Sequence, residues 1–424
     1  MDLRYGKGVI NVQAPPGFIG SLEPRVSAAR PLDTLLKESF LKPVGQIRLK
    51  ELVHKNRPGD VVIIVSDKTR KIANYEKILK FLLSELVDAG VDEKQIEFLV
   101  ALGTHQAHSY EDNRKQYGKL VEDFCFTQHD CHAGLVSLGK TTTGLGVQVS
   151  RRVHDADFVI ATGRVDFHYL AGYSGGRKSI LPGIASYETI RNNHKKLMRR
   201  GVWVGQVEGN IIAKEMAEAG NLLGMGYLLN VVETPDGETA EVFVGHHAHA
   251  FHEAVRYFSK ARRVPITEPA DCVIVSAGGY PNDRDFYHTH KSMNLAMSAL
   301  KDKGSIILIG QCQGGFGNEK FMELMLDNKI DDLVEFPEEK IDVGGHRAFL
   351  TARILKRHRV FAVTDLDSEM VRKIHFLPVE SVDQALNEVT KEHGAGMKTI
   401  IVPNGKAVLP LLNGKMKNSN SLGG

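Results

Sequence analysis

The chain has 424 residues, 42% of them hydrophobic and 25% charged, with 54 Lys+Arg against 51 Asp+Glu for a formal charge of +3. This is globular composition at a length that suits two or three domains, and the near-neutral balance argues against a nucleic-acid or polybasic membrane surface. Cys125, Cys131, Cys272 and Cys312 are too scattered for a disulfide framework, the opening MDLRYGKGVI lacks signal-peptide layout, and no apolar run approaches the roughly 20 residues a bilayer requires. A cytoplasmic protein with no nucleic-acid or membrane partner is the expectation.

From about residue 60, β-branched runs alternate with amphipathic stretches. VVIIV (61–65) reads as a buried strand, and residues 73–90 as a helix with Ile78, Leu79, Leu82, Leu83 and Leu86 on one face and Gly90 as its stop. IEFLVALG (96–103) and FVIATG (158–163) are the next strands, and Ser186 is placed to cap a helix over 186–196. A helix around His249–Arg263 leads to VPITEPAD (264–271), where Pro265 and Pro269 suit a hinge. A second series follows: strand 272–279, helix from Tyr287 to Leu300, strand 305–312, helix near Glu319–Leu326, and strands at 360–364 and 399–405. This rhythm predicts two α/β domains with mainly parallel sheets and an active-site cleft between them. The expected bounds are a cofactor-binding domain over 1–264, a second α/β domain over 265–414, and a polar tail over 415–424.

Ligands of open parallel sheets collect at the carboxyl ends of strands. Here those loops carry Ser66-Asp67-Lys68-Thr69-Arg70, Thr104-His105-Gln106-Ala107-His108, Arg164-Val165-Asp166-Phe167-His168, and Tyr280-Pro281-Asn282-Asp283 with the polar run to Lys291. Asp67 and Arg70 suit either a site or a plain ion pair. His105 and His168, each just past a strand, could share acid and base roles or be ordinary half-buried polar residues. GYSGGRKS (172–179) fails the P-loop pattern, because Arg177 separates Gly176 from Lys178. Anion contact and a tight turn with a solvated basic pair both stay open for it. GLGVQV (144–149) lacks the third glycine of a dinucleotide fingerprint. His246, His249 and His252 recur at helical spacing, and His129 and His132 flank Cys131. A solvated helix face and a strand edge account for these better than a metal site does.

Taken together, SDKTR (66–70), ALGTH (101–105), HYLAGYSGGRKSILPG (168–183), RNNH ending at His194, and YHTHK (287–291) resemble the lactate racemase family, the nickel-pincer-nucleotide enzymes. GNIIAKEMAEAG (209–220), LLNVV (228–232) and GGHRAFLTARIL (344–355) extend the resemblance over nearly the whole chain. It implies a racemase or epimerase of a 2-hydroxy acid working by hydride transfer. Its implied cofactor is the nickel pyridinium-3,5-bisthiocarboxylic acid mononucleotide, covalently on Lys178, with His194 as the nickel ligand. His105 and His168 would be the paired catalytic acid/base residues. Asp67, Lys68, Thr69, Arg70, His288 and Lys291 would border the cofactor, while Arg70, Tyr287, His288, Lys291 and His346 would meet substrate. Cofactor-biosynthesis enzymes are the implied partners.

The chain departs from the lactate-acting pattern at His288, where those members carry Gln, near His346, where they carry an aromatic, and at Gln106-Ala107-His108, where an Arg often follows the first catalytic His. The added histidines suggest a malate-like or aldonate-like acid. The competing readings are a phosphate-loop nucleotide-binding enzyme, a pyridine-nucleotide dehydrogenase, and a non-catalytic cofactor or ligand carrier on the same fold. The first two lack their fingerprint here.

Overall fold

A computed structural model of the chain describes residues 1–25, 30–343 and 345–413. The tail expected over 415–424 lies outside them. The described residues form two compact units, one of residues 26–260 and one of residues 1–25 with 261–424. The first 25 residues, expected in the amino-terminal domain, therefore belong to the other unit. Strand β1 (Phe18–Ser21) explains why, since it pairs in parallel with the strand Thr399–Val402 and completes that unit's sheet.

Residues 26–260 are built on β2 (Val61–Ser66), β3 (Ile96–Ala101), β4 (Cys125–Gln128), β5 (Phe158–Val165), β6 (Tyr227–Glu233) and β7 (Thr239–Gly245). Their order across the sheet is β7-β6-β5-β2-β3-β4, and only β7 runs antiparallel. β2 is buried along its whole length, as an unbroken β-branched run demands when both sheet faces are covered. One face is covered by α1 (Tyr75–Val87), whose Ile78, Leu79, Leu82, Leu83 and Leu86 enter the same core as Val61, Ile63 and Val65. The chain proceeds outward from β2 through β3 to β4, then returns on the other side through β5 and β6. The crevice between the carboxyl ends of β2 and β5 is the topological switch point where such sheets take ligands.

Three further helices bear on the site. α2 (Tyr187–His194) begins at Ser186, whose hydroxyl accepts the Thr189 amide at 3.1 Å. α3 (Ile211–Leu223) supplies Glu215, and α4 (His247–Arg262) supplies the histidine-rich stretch.

The second unit has β8 (Ala270–Ser276), β9 (Leu300–Ile309), β10 (Arg359–Val363), β11 (Leu377–Val379) and β12 (Thr399–Val402) in the order β11-β10-β9-β8-β12-β1, all parallel. α5 (Phe286–Ala296) follows β8, and α6 (His346–Leu355) precedes β10. The segment expected as a hinge is not free. Arg263–Ile266 pairs in parallel with Leu409–Leu412, so Pro265 sits in an edge strand, a place that tolerates a missing amide donor. Among the described residues no helix is long and apolar enough to cross a membrane.

Candidate active site

The turn after β2 is organised by one carboxylate. Asp67 is fully buried; Oδ1 accepts the Thr69 amide at 2.6 Å, and Oδ2 accepts both Arg70 Nη1 at 2.9 Å and His105 Nδ1 at 3.0 Å. Burial by itself would push this carboxyl up, but the bonds from His105 and Thr69 and the Arg70 charge hold it well below the usual carboxylate range. Four donor groups from three residues on one buried anion fix the loop. They also fix His105, since a carboxylate at Nδ1 holds the proton there and leaves the lone pair on Nε2, on a ring that is 42% exposed.

The loop is braced from outside. Tyr75 Oη accepts the Ser66 amide, and Tyr117 Oη donates to the Ser66 carbonyl at 2.8 Å. His108, buried, accepts the Lys68 amide on Nε2 at 3.0 Å and bonds Asn113 Oδ1 through Nδ1 at 2.8 Å. The Lys68 ammonium turns to Asp112 and the Thr69 hydroxyl to Asp67. His108 therefore ties the first loop to the second, a role invisible in the string Gln106-Ala107-His108 because its partners lie 40 positions upstream and five downstream.

His168 presents the opposite tautomer. Its Nδ1 accepts the backbone amides of Ala171 at 3.1 Å and Leu170 at 3.3 Å, so in the neutral ring the proton sits on Nε2. That Nε2 lies 2.6 Å from Lys178 Nζ. With Nε2–H as donor, the lysine must be the acceptor and hence a neutral amine. Lys178 is only 5% exposed, and burial, with Arg70 and Arg177 adding and Asp67 opposing, drives its pKa well below that of an ordinary lysine.

Three of the expected residues, Arg70, His168 and Lys178, line one cavity of about 130 Å³ together with Ser66, Arg164, Asp166 and Ser174. This is the β2/β5 switch point. Asp67 and His105 adjoin it through Arg70. His194 ends α2, is 9% exposed, and does not line this cavity. Its helix is held by a group the sequence did not flag. Glu215, fully buried on α3, accepts Asn193 Nδ2 at 2.7 Å, pairs with Lys196, and takes the Thr143 hydroxyl, so it grips the residues on either side of His194.

Three amides of the glycine loop are already bonded within the fold. Those of Ser174, Gly176 and Lys178 bond the Asp166 carbonyl, Asn230 Oδ1 at 2.7 Å and the Gly175 carbonyl. The glycines serve close packing instead: a Cβ on Gly163 would stand 2.6 Å from the Gly176 nitrogen, and one on Gly176 2.1 Å from Leu228. The other histidine motifs are accounted for locally. His249 and His252 are exposed on α4, His129 donates to the Ala185 carbonyl at 2.9 Å, and His132 stacks on Tyr187.

In the second unit, Asp285 caps α5 and accepts both the backbone amide of His288 at 2.9 Å and its Nδ1 at 2.6 Å. Arg284 Nη2 donates to His288 Nε2 at 2.6 Å. Burial, reinforced by Arg284 and Arg347, lowers the His288 pKa despite Asp285. Arg347 on α6 lies over the Tyr287 ring at 4.0 Å and bonds its carbonyl at 2.8 Å. Lys291 follows His288 by three residues on the same face of α5, half-buried, and His346 is buried at the start of α6. Arg284, Asp285 and Arg347 were not singled out. An Asp three residues before a His at a helix start was the one available signal.

Two α/β units, one with a lysine amine and two imidazoles gathered about a switch point, are an arrangement suited to acid–base chemistry on a small molecule. Residues 5–202 match the lactate racemase N-terminal domain and residues 266–410 the lactate racemase C-terminal domain. The chain is 30% identical to a lactate racemase of Lactiplantibacillus plantarum, covering 96% of this chain and 99% of that one, and 28% identical to one of Thermoanaerobacterium thermosaccharolyticum, covering 96% and 98%. The solved lactate racemase apoprotein from Thermoanaerobacterium thermosaccharolyticum superposes with a TM-score of 0.89 at 29% identity, over 96% of this chain and 99% of that one. A Thermotoga maritima protein at 20% identity, TM-score 0.60, covering 86% and 97%, shares the fold alone. This chain belongs to the lactate racemase family, and it is an isomerase, a racemase.

Proposed function

We propose that this racemase interconverts the enantiomers of a 2-hydroxy acid, with His105 and His168 as its two proton-transfer groups and Lys178 as the attachment point of a nickel-pincer nucleotide. The observation that carries this reading is the pair of opposite tautomers, His105 with a lone pair on Nε2 and His168 with a proton there. A racemase needs both at once. His105 Nε2 takes the hydroxyl proton of one enantiomer, and His168 Nε2–H gives a proton to the oxygen when the carbon presents its other face, its ring being re-protonated by the proton His105 took so that both imidazoles end the turnover neutral. Asp67 holds the His105 ring in its basic tautomer and steadies the imidazolium it becomes. Arg70, bridged to Asp67 and lining the cavity, stands where it can bind carboxylate or stabilise a developing alkoxide.

The residues suit the absent group on their chemistry. Lys178, a buried amine, would hold the group through a covalent amide-type link, and His194 would offer one imidazole nitrogen to its metal. Bound there, the group supplies the hydride acceptor that spares the chain an unstable carbanion beside a carboxylate. Lys68 and Thr69 act by stiffening the Asp67 turn. His288, Lys291, Tyr287 and His346 are assigned to substrate and cofactor contact. Lactate is the substrate in the relatives' names. The cationic set Arg284, Arg347 and Lys291 around His288 favours an acid with a further polar group, malate-like or aldonate-like.

The test is to produce the chain together with cofactor-building enzymes, measure intact mass, and assay lactate, malate and aldonates by chiral chromatography. An adduct mapping to Lys178 with racemisation of one of these acids is expected. An adduct with no racemisation would leave only a carrier, no adduct would reject the tether, and fastest turnover on lactate would reject the larger substrate.

A further inference from the structure

At the other end of the sheet of residues 26–260 lies a cavity larger than the one at the switch point, about 460 Å³ against about 130 Å³, a size within the range of small-molecule pockets. It opens where two strands begin. Phe158 and Val159 line it from the start of β5, and Met225 and Gly226 from the turn into β6. Val159 lines this cavity and Gly163 the other, four residues further along β5, so the two lie roughly 13 Å apart at 3.3 Å per residue. The floor is apolar, since Val153, Phe158, Val159 and Met225 are all buried. Gly226 leaves room for the Phe158 ring, which a Cβ there would meet at 2.6 Å. The walls are polar. Asn56 ends the helix Leu49–Asn56, and Leu223 ends α3, where the Gly224 amide bonds the Asn221 carbonyl at 3.0 Å. His246 and His247, from the histidine-rich stretch, stack with 4.6 Å between ring centroids.

We propose that this cavity is a second binding site, separate from the racemase centre, for a small organic cation with an aromatic body. The charges around it select the sign of the ligand. Among the described residues that line it there is no lysine or arginine, and Asp157 is the one acidic side chain. That carboxylate is exposed, and its Oδ2 accepts the Gly59 amide at 2.9 Å. His154, also on the lining, bonds Asp155 through Nδ1 at 2.8 Å, which brings a second carboxylate beside the mouth. The helix Leu49–Asn56 and α3 both end on the wall, and a helix carboxyl terminus carries partial negative charge. Burial, with the neighbouring imidazoles adding, lowers the pKa of His246 and takes that of His247 down to about 4. At neutral pH these rings therefore bring no positive charge. A cation meets attraction from Asp157 and both helix ends, where a carboxylate or phosphate meets repulsion. The floor decides the rest of the ligand. Among the described residues no three His, Cys, Asp or Glu are gathered to hold a metal, and a bare ion would leave Phe158, Val159 and Met225 uncovered. An aromatic amine covers that apolar floor and sets its ammonium toward Asp157.

The test is calorimetric titration of the full chain at about pH 7.5 with three indoles that differ at one group: tryptamine (ammonium), tryptophol (hydroxyl) and indole-3-acetate (carboxylate). Tryptamine should bind with a Kd below about 1 mM and about tenfold or more tighter than tryptophol, as one carboxylate and two helix ends together provide, while indole-3-acetate should not bind. Asp157→Asn, which keeps an oxygen for the Gly59 amide, should weaken tryptamine by about threefold or more and leave tryptophol within about twofold. Asn221→Trp, at an exposed position in the last turn of α3, should block the mouth and abolish binding of both. If the Trp variant does not fold, Asp157→Asn alone decides. The proposal is overturned if no probe binds at about 5 mM, if the alcohol or the acid binds as tightly as the amine, or if Asp157→Asn leaves tryptamine binding unchanged. Tryptamine binding that survives Asn221→Trp places it elsewhere and overturns the proposal as well. None of these outcomes bears on whether the loaded enzyme racemises anything, so the two readings fail separately.

Discussion

Among the described residues two buried aspartates, one in each unit, hold a histidine, and the two pairs are built for different work. Asp67 and Asp285 both hold a histidine by Nδ1, at 3.0 and 2.6 Å. Beyond that they diverge. His105 has its other nitrogen on a ring that is 42% exposed, whereas the Nε2 of His288 is taken by Arg284 at 2.6 Å. An imidazole whose lone pair already accepts from a guanidinium cannot act as a base without breaking that bond. On the proposed reading the same dyad serves as a proton acceptor in one unit and as a contact group in the other. What decides is the fourth neighbour, not the carboxylate.

The comparison can be broken by exchanging what each pair lacks. On the proposed reading the largest effects belong to His105 and His168. His105→Ala and His168→Ala should each cut racemisation in both directions by on the order of 10²–10⁴-fold while intact mass still shows the Lys178 adduct. Unimpaired turnover in either variant would end the two-base assignment. Asp67→Asn comes next, since it removes the tautomer lock without removing the base, and a loss of about 10²-fold or more in kcat is expected with KM little changed. Glu215→Gln tests the support of α2. Leaving Lys196 buried without its partner should lower stability by about 3–5 kcal/mol in denaturant titration, with nickel retention at His194 falling in parallel.

Smaller effects sharpen the contrast. His288→Gln should change KM and the ranking of substrates, by about tenfold, more than it changes kcat on the preferred acid; a collapse of kcat would make His288 a base after all. The pH dependence of stability has a definite sign. The Asp67 carboxyl is lower in the folded chain than in the unfolded one, so its contribution is complete above the unfolded value near pH 4 and is lost as pH falls toward the folded value. Acid unfolding curves of Asp67→Asn should therefore be shallower than those of wild type below about pH 4.

Much of this site could be read from the chain because its parts are local. Strand β2, the α1 face and the Ser186 cap follow from residues within a turn or two of one another, and the strand-end rule placed Asp67, His105 and His168 at one end of a sheet. The resemblance supplied Lys178 and His194 on long, unusual motifs. His108, Glu215, Arg284 and Arg347 were not legible, since each acts on a partner that only folding brings near. Pro265 shows the reverse error. Two prolines in a polar stretch signal a hinge locally, but the pairing of Arg263–Ile266 with Leu409–Leu412 is a long-range fact. The first 25 residues likewise carry no mark of the sheet they join.

The sequence by itself determined which chemistries are available: a lysine after a glycine loop, imidazoles past strand ends, and an apolar pattern that can only be buried as parallel sheet. Only the tertiary structure decided the state in which each group is held. A tautomer depends on what stands within hydrogen-bond distance of each ring nitrogen, and a lysine's charge depends first on how deeply it is buried. Those neighbours come from β2, β5 and the loops that follow the strands, and no spacing along the chain encodes them.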